Sequence, residues 1–194
     1  MNKSSYYLGE GTLNTALGPE IKKDMTMGDI ITHYPSAKRA LFQKYHVGGC
    51  SSCGYALDET LEEVMINHKR DKEVGNAISF IYESAEIDKQ MQLEPTELKQ
   101  KLENGETVRM VDVREDWEAD IVKFPDSELI NQNLAYEILN KWDKNTLVVF
   151  YCHQGMRSLE AASYFKGHGL PNVKSLSGGI DRYAAEVDTT LARY

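Results

Sequence analysis

The sequence predicts an α/β fold, a parallel sheet flanked by helices, preceded by a small all-α domain. Three observations carry that expectation. Val108 to Val113 and Thr146 to Tyr151 are near-continuous apolar runs, the pattern of strands buried on both faces of a parallel sheet. Helical segments alternate with these runs, as a sheet covered by helices requires. From Asp24 to about Ser84, by contrast, the apolar spacing is helical throughout and no strand pattern interrupts it.

Residues 1–23 hold no sustained period and read as an irregular arm, docked through Tyr6, Tyr7 and Leu8. In the domain spanning 24–85, Pro35 separates a short helix (Met27 to Tyr34) from one carrying Ala37, Ala40, Leu41 and Tyr45. Gly48-Gly49 should end that second helix. Leu61, Val64, Met65 and His68 fall at i, i+3, i+4 and i+7, and Val74, Ala77, Ile78 and Ile81 repeat the spacing. Asp58 and Asp71 stand where N-caps are expected. Residues 86–92 read as a polar linker. In the domain spanning 93–194, Glu94-Pro95 opens a helix with proline at its first position, and Asn104-Gly105 closes it. Val108 to Val113 is then a strand, Asn133 to Trp142 a helix and Thr146 to Tyr151 a strand. Ser158 to Phe165 is an amphipathic helix, Asn172 to Leu176 a short strand and Gly179 to Val187 a last helix.

The 194 residues include 22 basic and 30 acidic side chains, a net charge of −8. That balance argues against a nucleic-acid partner bound through phosphate neutralisation. The longest apolar run, Leu147 to Cys152, is far short of the ~18 residues of a membrane helix. No apolar stretch follows Met1-Asn2-Lys3-Ser4-Ser5, so neither a membrane association nor a secretory signal is expected, and the expected compartment is the cytoplasm. Three cysteines in such a chain point to redox or metal chemistry and a free thiol, not to a disulfide framework.

Cys152 follows the strand Leu147-Val148-Val149-Phe150-Tyr151 and opens Cys152-His153-Gln154-Gly155-Met156-Arg157-Ser158, which leads into a helix. A thiol is thereby placed at the carboxyl end of a parallel strand, where open α/β sheets bind ligands. Backbone N–H groups of the loop can converge on the sulfur, and the helix N-terminus adds partial positive charge. Gly155 permits a tight turn, and Arg157 supplies a forked cation for an anionic substrate. Together these features favour a thiolate over a thiol.

Val111-Asp112-Val113-Arg114-Glu115, the Cys152-to-Ser158 loop, Ser177-Gly178-Gly179-Ile180 and Glu186-Val187-Asp188 resemble the rhodanese (sulfurtransferase) domain, in the right order over 93–194. The resemblance implies a rhodanese-like parallel sheet and a Cys152 nucleophile that takes a sulfane sulfur as a persulfide. It also implies a cradle formed by His153, Gln154, Gly155, Met156 and Ser158, with Arg157 as the anion contact. Arg157 follows Cys152 after four residues, a C-x4-R, whereas rhodanese-fold phosphatases use the longer C-x5-R. The shorter loop suits a sulfur atom better than a phosphoryl group. Two departures stand out. Ala119-Asp120-Ile121-Val122-Lys123-Phe124-Pro125 replaces the usual Gly-His-Ile-Pro-Gly-Ala-like stretch, and Tyr183 stands where many relatives have Trp. Asp112 and Arg114, charges at a strand end, are expected to lock loops together.

Gly48-Gly49-Cys50-Ser51-Ser52-Cys53-Gly54, followed by Glu59-Thr60-Leu61-Glu62-Glu63, resembles a small helical domain found beside hybrid-cluster proteins and described as a redox-disulfide domain. Cys50 and Cys53 can close a reversible disulfide, ligate metal or simply pack. A metal site wants four ligands, and only His46 stands near the pair in sequence, so metal would need a second chain or a nearby His. The leading expectation is a sulfurtransferase without cofactor or bound metal. Its partners are a sulfane-sulfur donor such as thiosulfate or a persulfide, and a thiol acceptor, small molecule or protein. Cys50 and Cys53 serve as redox or relay thiols, and a homodimer is compatible with the reading. The alternative is a non-catalytic redox sensor or docking protein built on the same pair.

Overall fold

In the computed structural model, which describes residues 18–48 and 54–194, the chain divides into two units, Met1–Ile87 and Asp88–Tyr194. The first holds helices α1 (Met27–His33), α2 (Ala37–Tyr45) and α3 (Leu61–Asn67), and most of α4 (Val74–Met91), which a 3-10 turn at Asp71–Glu73 precedes. Two threonines organise it. The Thr26 hydroxyl accepts from the Asp29 N–H at the start of α1, and the Thr60 hydroxyl accepts from the Glu63 N–H at the start of α3. The Thr60 N–H donates back to the Glu63 carboxylate at 2.8 Å, completing a reciprocal cap. The two caps are themselves joined, because the Met27 N–H donates to Glu59 O and the Leu61 N–H to Met25 O. Met27, Ile30, Leu41, Leu61, Met65 and Ile81 form the fully buried centre.

Several boundaries differ from the sequence expectation, each for a local reason. Thr60, not Asp58, caps α3, since only Thr60 has a partner three residues on that can answer its backbone N–H. Asp71 opens the 3-10 turn, and α4 begins at Val74. The residue that ends α2 is His46, held left-handed at φ 57°, ahead of Gly48. The stretch read as a polar linker is helical as far as Met91. Its stripe continues through Ala77, Ile81, Ser84, Asp88 and Met91, all buried, but the polar Ser84 and Asp88 hide the period from a hydropathy reading.

In the second unit β1 (Gln92–Leu93), β2 (Val108–Asp112), β3 (Glu128–Leu129), β4 (Leu147–Tyr151) and β5 (Val173–Leu176) form one parallel sheet in the order β1-β5-β4-β2-β3. Alternation along β4 feeds two cores. Val148 and Phe150 pack with α7 (Gln132–Asn140) and α8 (Met156–Gly167). Val149 and Tyr151 pack on the other face with α5 (Pro95–Glu103) and α9 (Gly179–Glu186). This is the helix-flanked parallel sheet that the apolar runs predict. Three short pieces lie outside the sequence expectation: β1 and β3, with two residues each, too short for a period to register, and α6 (Asp116–Ile121), which opens on the Glu115-x-x-Glu118 spacing. Among the described residues no helix is long and apolar enough to cross a membrane.

The strand order places the site. From β2 the chain moves outward to β3 on one side, and from β4 it moves outward to β5 on the other. The carboxyl ends of β2 and β4 therefore flank a topological switch point, where such sheets form a crevice. Asp112 ends β2 there, and Cys152 directly follows β4.

Candidate active site

Cys152 is almost fully buried, and its Sγ accepts a hydrogen bond from the Gly155 N–H at 3.1 Å. Gly155 has φ 91° and caps α8, so the turn points its amide back at the sulfur from the helix N-terminus. The Ser158 hydroxyl lies 3.5 Å from Sγ, donates to Gly155 O at 3.1 Å and meets Ser175 Oγ at 2.8 Å. These buried hydroxyls tie the loop to α8 and β5. The outer wall comes from the first turn of α9. The Ile180 N–H donates to Cys152 O at 2.9 Å, and the Asp181 N–H to His153 O at 3.1 Å. Gly179 sits against that wall with φ 63°, where a Cβ would run into both carbonyl oxygens.

The loop therefore brings Cys152, Gly155 and Ser158 together. Gln154 and Met156 face solvent. The His153 ring stacks on Tyr194, with centroids 4.2 Å apart and planes at 10°, and its Nε2 is buried with no hydrogen-bond partner among the described residues. Cys50 and Cys53 lie outside the described residues.

Arg157 is engaged by a carboxylate. Its NH1 and NH2 groups donate to the two Glu118 carboxylate oxygens at 2.6 and 2.7 Å, a bidentate pair. Glu118 is buried at the third position of α6, where the Glu115 N–H also donates to it at 3.1 Å. The Tyr194 hydroxyl donates to Glu118 Oε1 and accepts from Arg114 NH1, both at 2.9 Å. Arg114 and Asp112 do lock the edge: their buried bidentate pair is joined by Arg114 donation to the Glu118 and Val122 carbonyls. Tyr151 adds no acid–base group, because burial pushes its phenol up to about 12. Sequence reasoning missed Glu118 and Tyr194. Glu118 carried one local signal, the Glu115-x-x-Glu118 spacing of a helix start, but its pairing with Arg157 crosses 39 positions.

Hydrogen bonds from Arg157, opposed by burial and helped by the Glu115 amide and Tyr194, hold the Glu118 carboxyl down to about 2, against an ordinary 4.5. A carboxyl lowered on folding binds its proton more tightly in the unfolded chain. Its contribution to stability is thus complete above about pH 4.5 and is lost as pH falls through about 2. Thermal melts from pH 6 to 2 should show this acid-side loss, and a Glu118→Gln variant should show a shallower one. Equal acid slopes in both proteins would contradict the assignment.

A five-stranded parallel sheet with a buried cysteine loop at its switch point defines a class of α/β domains, and the sequence comparisons agree on which. The model of the rhodanese-like domain matches residues 94–186. A sulfurtransferase of Allochromatium vinosum is 31% identical over 93 residues, covering 48% of this chain and 87% of that protein. The chain belongs to the rhodanese-like domain family. It spans only part of other relatives: 29% of the length of MoeZ of Mycobacterium tuberculosis, at 32% identity over 114 residues covering 58% of this chain. Among solved structures, a rhodanese-like domain protein from Staphylococcus aureus is 28% identical, with a TM-score of 0.44, over 53% of this chain and 97% of that one.

Proposed function

We propose that the protein is a sulfurtransferase that carries a sulfane sulfur on Cys152. The observation that carries the reading is the Gly155 N–H aimed at Sγ from the start of α8. A thiolate is the species that attacks disulfide-like sulfur, and the Gly155 N–H is placed to hydrogen-bond it. The Cys152 thiolate attacks the terminal sulfur of a sulfane donor. The donor S–S bond breaks, the donor leaves with the electron pair as a thiolate or as sulfite, and Cys152 holds the sulfur as a persulfide. An acceptor thiolate or cyanide then attacks that outer sulfur, and Cys152 leaves as the thiolate. No general base is needed if the attacking groups are already anions. The sulfurtransferase of A. vinosum supports the reading by its name.

Turnover tests it: the chain, supplied with a persulfide donor and cyanide, should form thiocyanate. No thiocyanate above the uncatalysed rate, with any sulfane donor, would overturn the reading.

The helical unit extends the proposal. It resembles the redox-disulfide domain named above, and its Cys50-x-x-Cys53 would receive sulfur from Cys152 or report thiol status. Replacing both Cys50 and Cys53 by Ser should slow sulfur delivery to a protein dithiol acceptor by at least about fivefold, while delivery to cyanide continues. Equal rates to every acceptor tried would remove the relay.

A further inference from the structure

The cations around Cys152 are already matched by carboxylates. Arg157 is bidentate to Glu118, and Arg114, with no exposed side chain, is bidentate to Asp112. On the α9 side Arg182 pairs with Glu94 and Glu186, and Arg193 pairs with Asp181, whose own N–H holds His153 O. The neighbouring cleft at the β2 end is lined by Asp112, Asp116 and Asp120 against one lysine, Lys123. An anion reaching the sulfur would meet the Gly155 N–H and an Arg157 guanidinium already neutralised by Glu118, beside a cleft of net negative charge. Neutralisation of Arg157 is also geometrically complete on one edge, because both terminal nitrogens are spent on Glu118.

We propose that Glu118 sets donor choice at Cys152: by neutralising Arg157 it disfavours the inorganic dianion thiosulfate and selects organic persulfides whose leaving group carries no dianionic head. This inference rests on the sulfurtransferase reading. With an organic persulfide, the Cys152 thiolate takes the outer sulfur and an organic thiolate leaves, which gains its proton from water. With thiosulfate the leaving group is sulfite, so two negative charges must be accommodated from approach to departure. Glu118 is a positioning residue here. It touches Arg157, not the reacting sulfur.

The experiment compares loading of Cys152 by thiosulfate and by the persulfide of 2-mercaptoethanol, in the native chain and in Glu118→Gln. Glutamine keeps an acceptor for Arg157 but removes the negative charge. The native chain should load from the persulfide with the higher second-order rate constant. Glu118→Gln should raise the thiosulfate-to-persulfide ratio by at least about tenfold, a change that general loosening of the fold would not give a direction to. The native preference needs no variant, so the proposal stands open to test even if Glu118→Gln folds poorly. A native preference for thiosulfate, or a ratio unmoved in a folded Glu118→Gln, overturns the donor proposal. Loading by neither donor overturns the sulfurtransferase reading instead.

Discussion

Cys152→Ser should lower sulfur transfer to cyanide by at least about a thousandfold and leave the fold in place. The hydroxyl fits where Sγ sits and can still accept from the Gly155 N–H, so the loop geometry survives. What disappears is the chemistry. A serine oxygen is neither ionised at neutral pH nor able to hold a sulfane sulfur in a stable S–S bond. Steady-state thiocyanate formation and a far-UV melt on the same preparation check both halves. Transfer persisting within tenfold of the native rate would move the carrier to another thiol.

Gly179→Ala is the second large effect, and it acts through the backbone. The site places Gly179 at φ 63°, with the Cys152 and His153 carbonyls where a Cβ would go. Alanine therefore meets two penalties: a left-handed conformation, and a clash with backbone that the Ile180 and Asp181 amides hold in place. We expect a loss of about 2–4 kcal/mol and a cysteine loop displaced from the α9 turn. Gly105 provides the control. It has φ 72°, but nothing lies within 4 Å of a Cβ there, so Gly105→Ala should cost only about 1–2 kcal/mol. Denaturant unfolding of the two variants separates these costs; equal losses would mean that the α9 turn does not brace the loop.

The parts of this site legible in the sequence are those built from contiguous residues. The apolar β4 run, the glycine turn and the helix behind it lie within one stretch, so Cys152 could be placed at a strand end from spacing alone. Glu118 could not be placed that way. Its meaning comes from α6 approaching α8, and no local pattern encodes which carboxylate answers Arg157. Tyr194 is similar: its hydroxyl bridges Glu118 and Arg114, 76 and 80 positions away. In the fold, the long apolar strands were visible, whereas β1 and β3 are too short for a period to register. The last turns of α4 were obscured because Ser84 and Asp88 occupy its buried stripe. His46 shows the limit of glycine as a stop signal, since one left-handed residue suffices to end α2 and histidine tolerates the conformation.

In the proposed reaction Cys152 itself carries the transferred sulfur. Intact-mass measurement after brief exposure to an organic persulfide, followed by peptide mapping, tests it most directly. The expected result is a gain of one sulfur atom, located on the peptide containing Cys152, removed by cyanide and absent from Cys152→Ser. A gain located only on the Cys50–Cys53 peptide, or no gain at all, would contradict it.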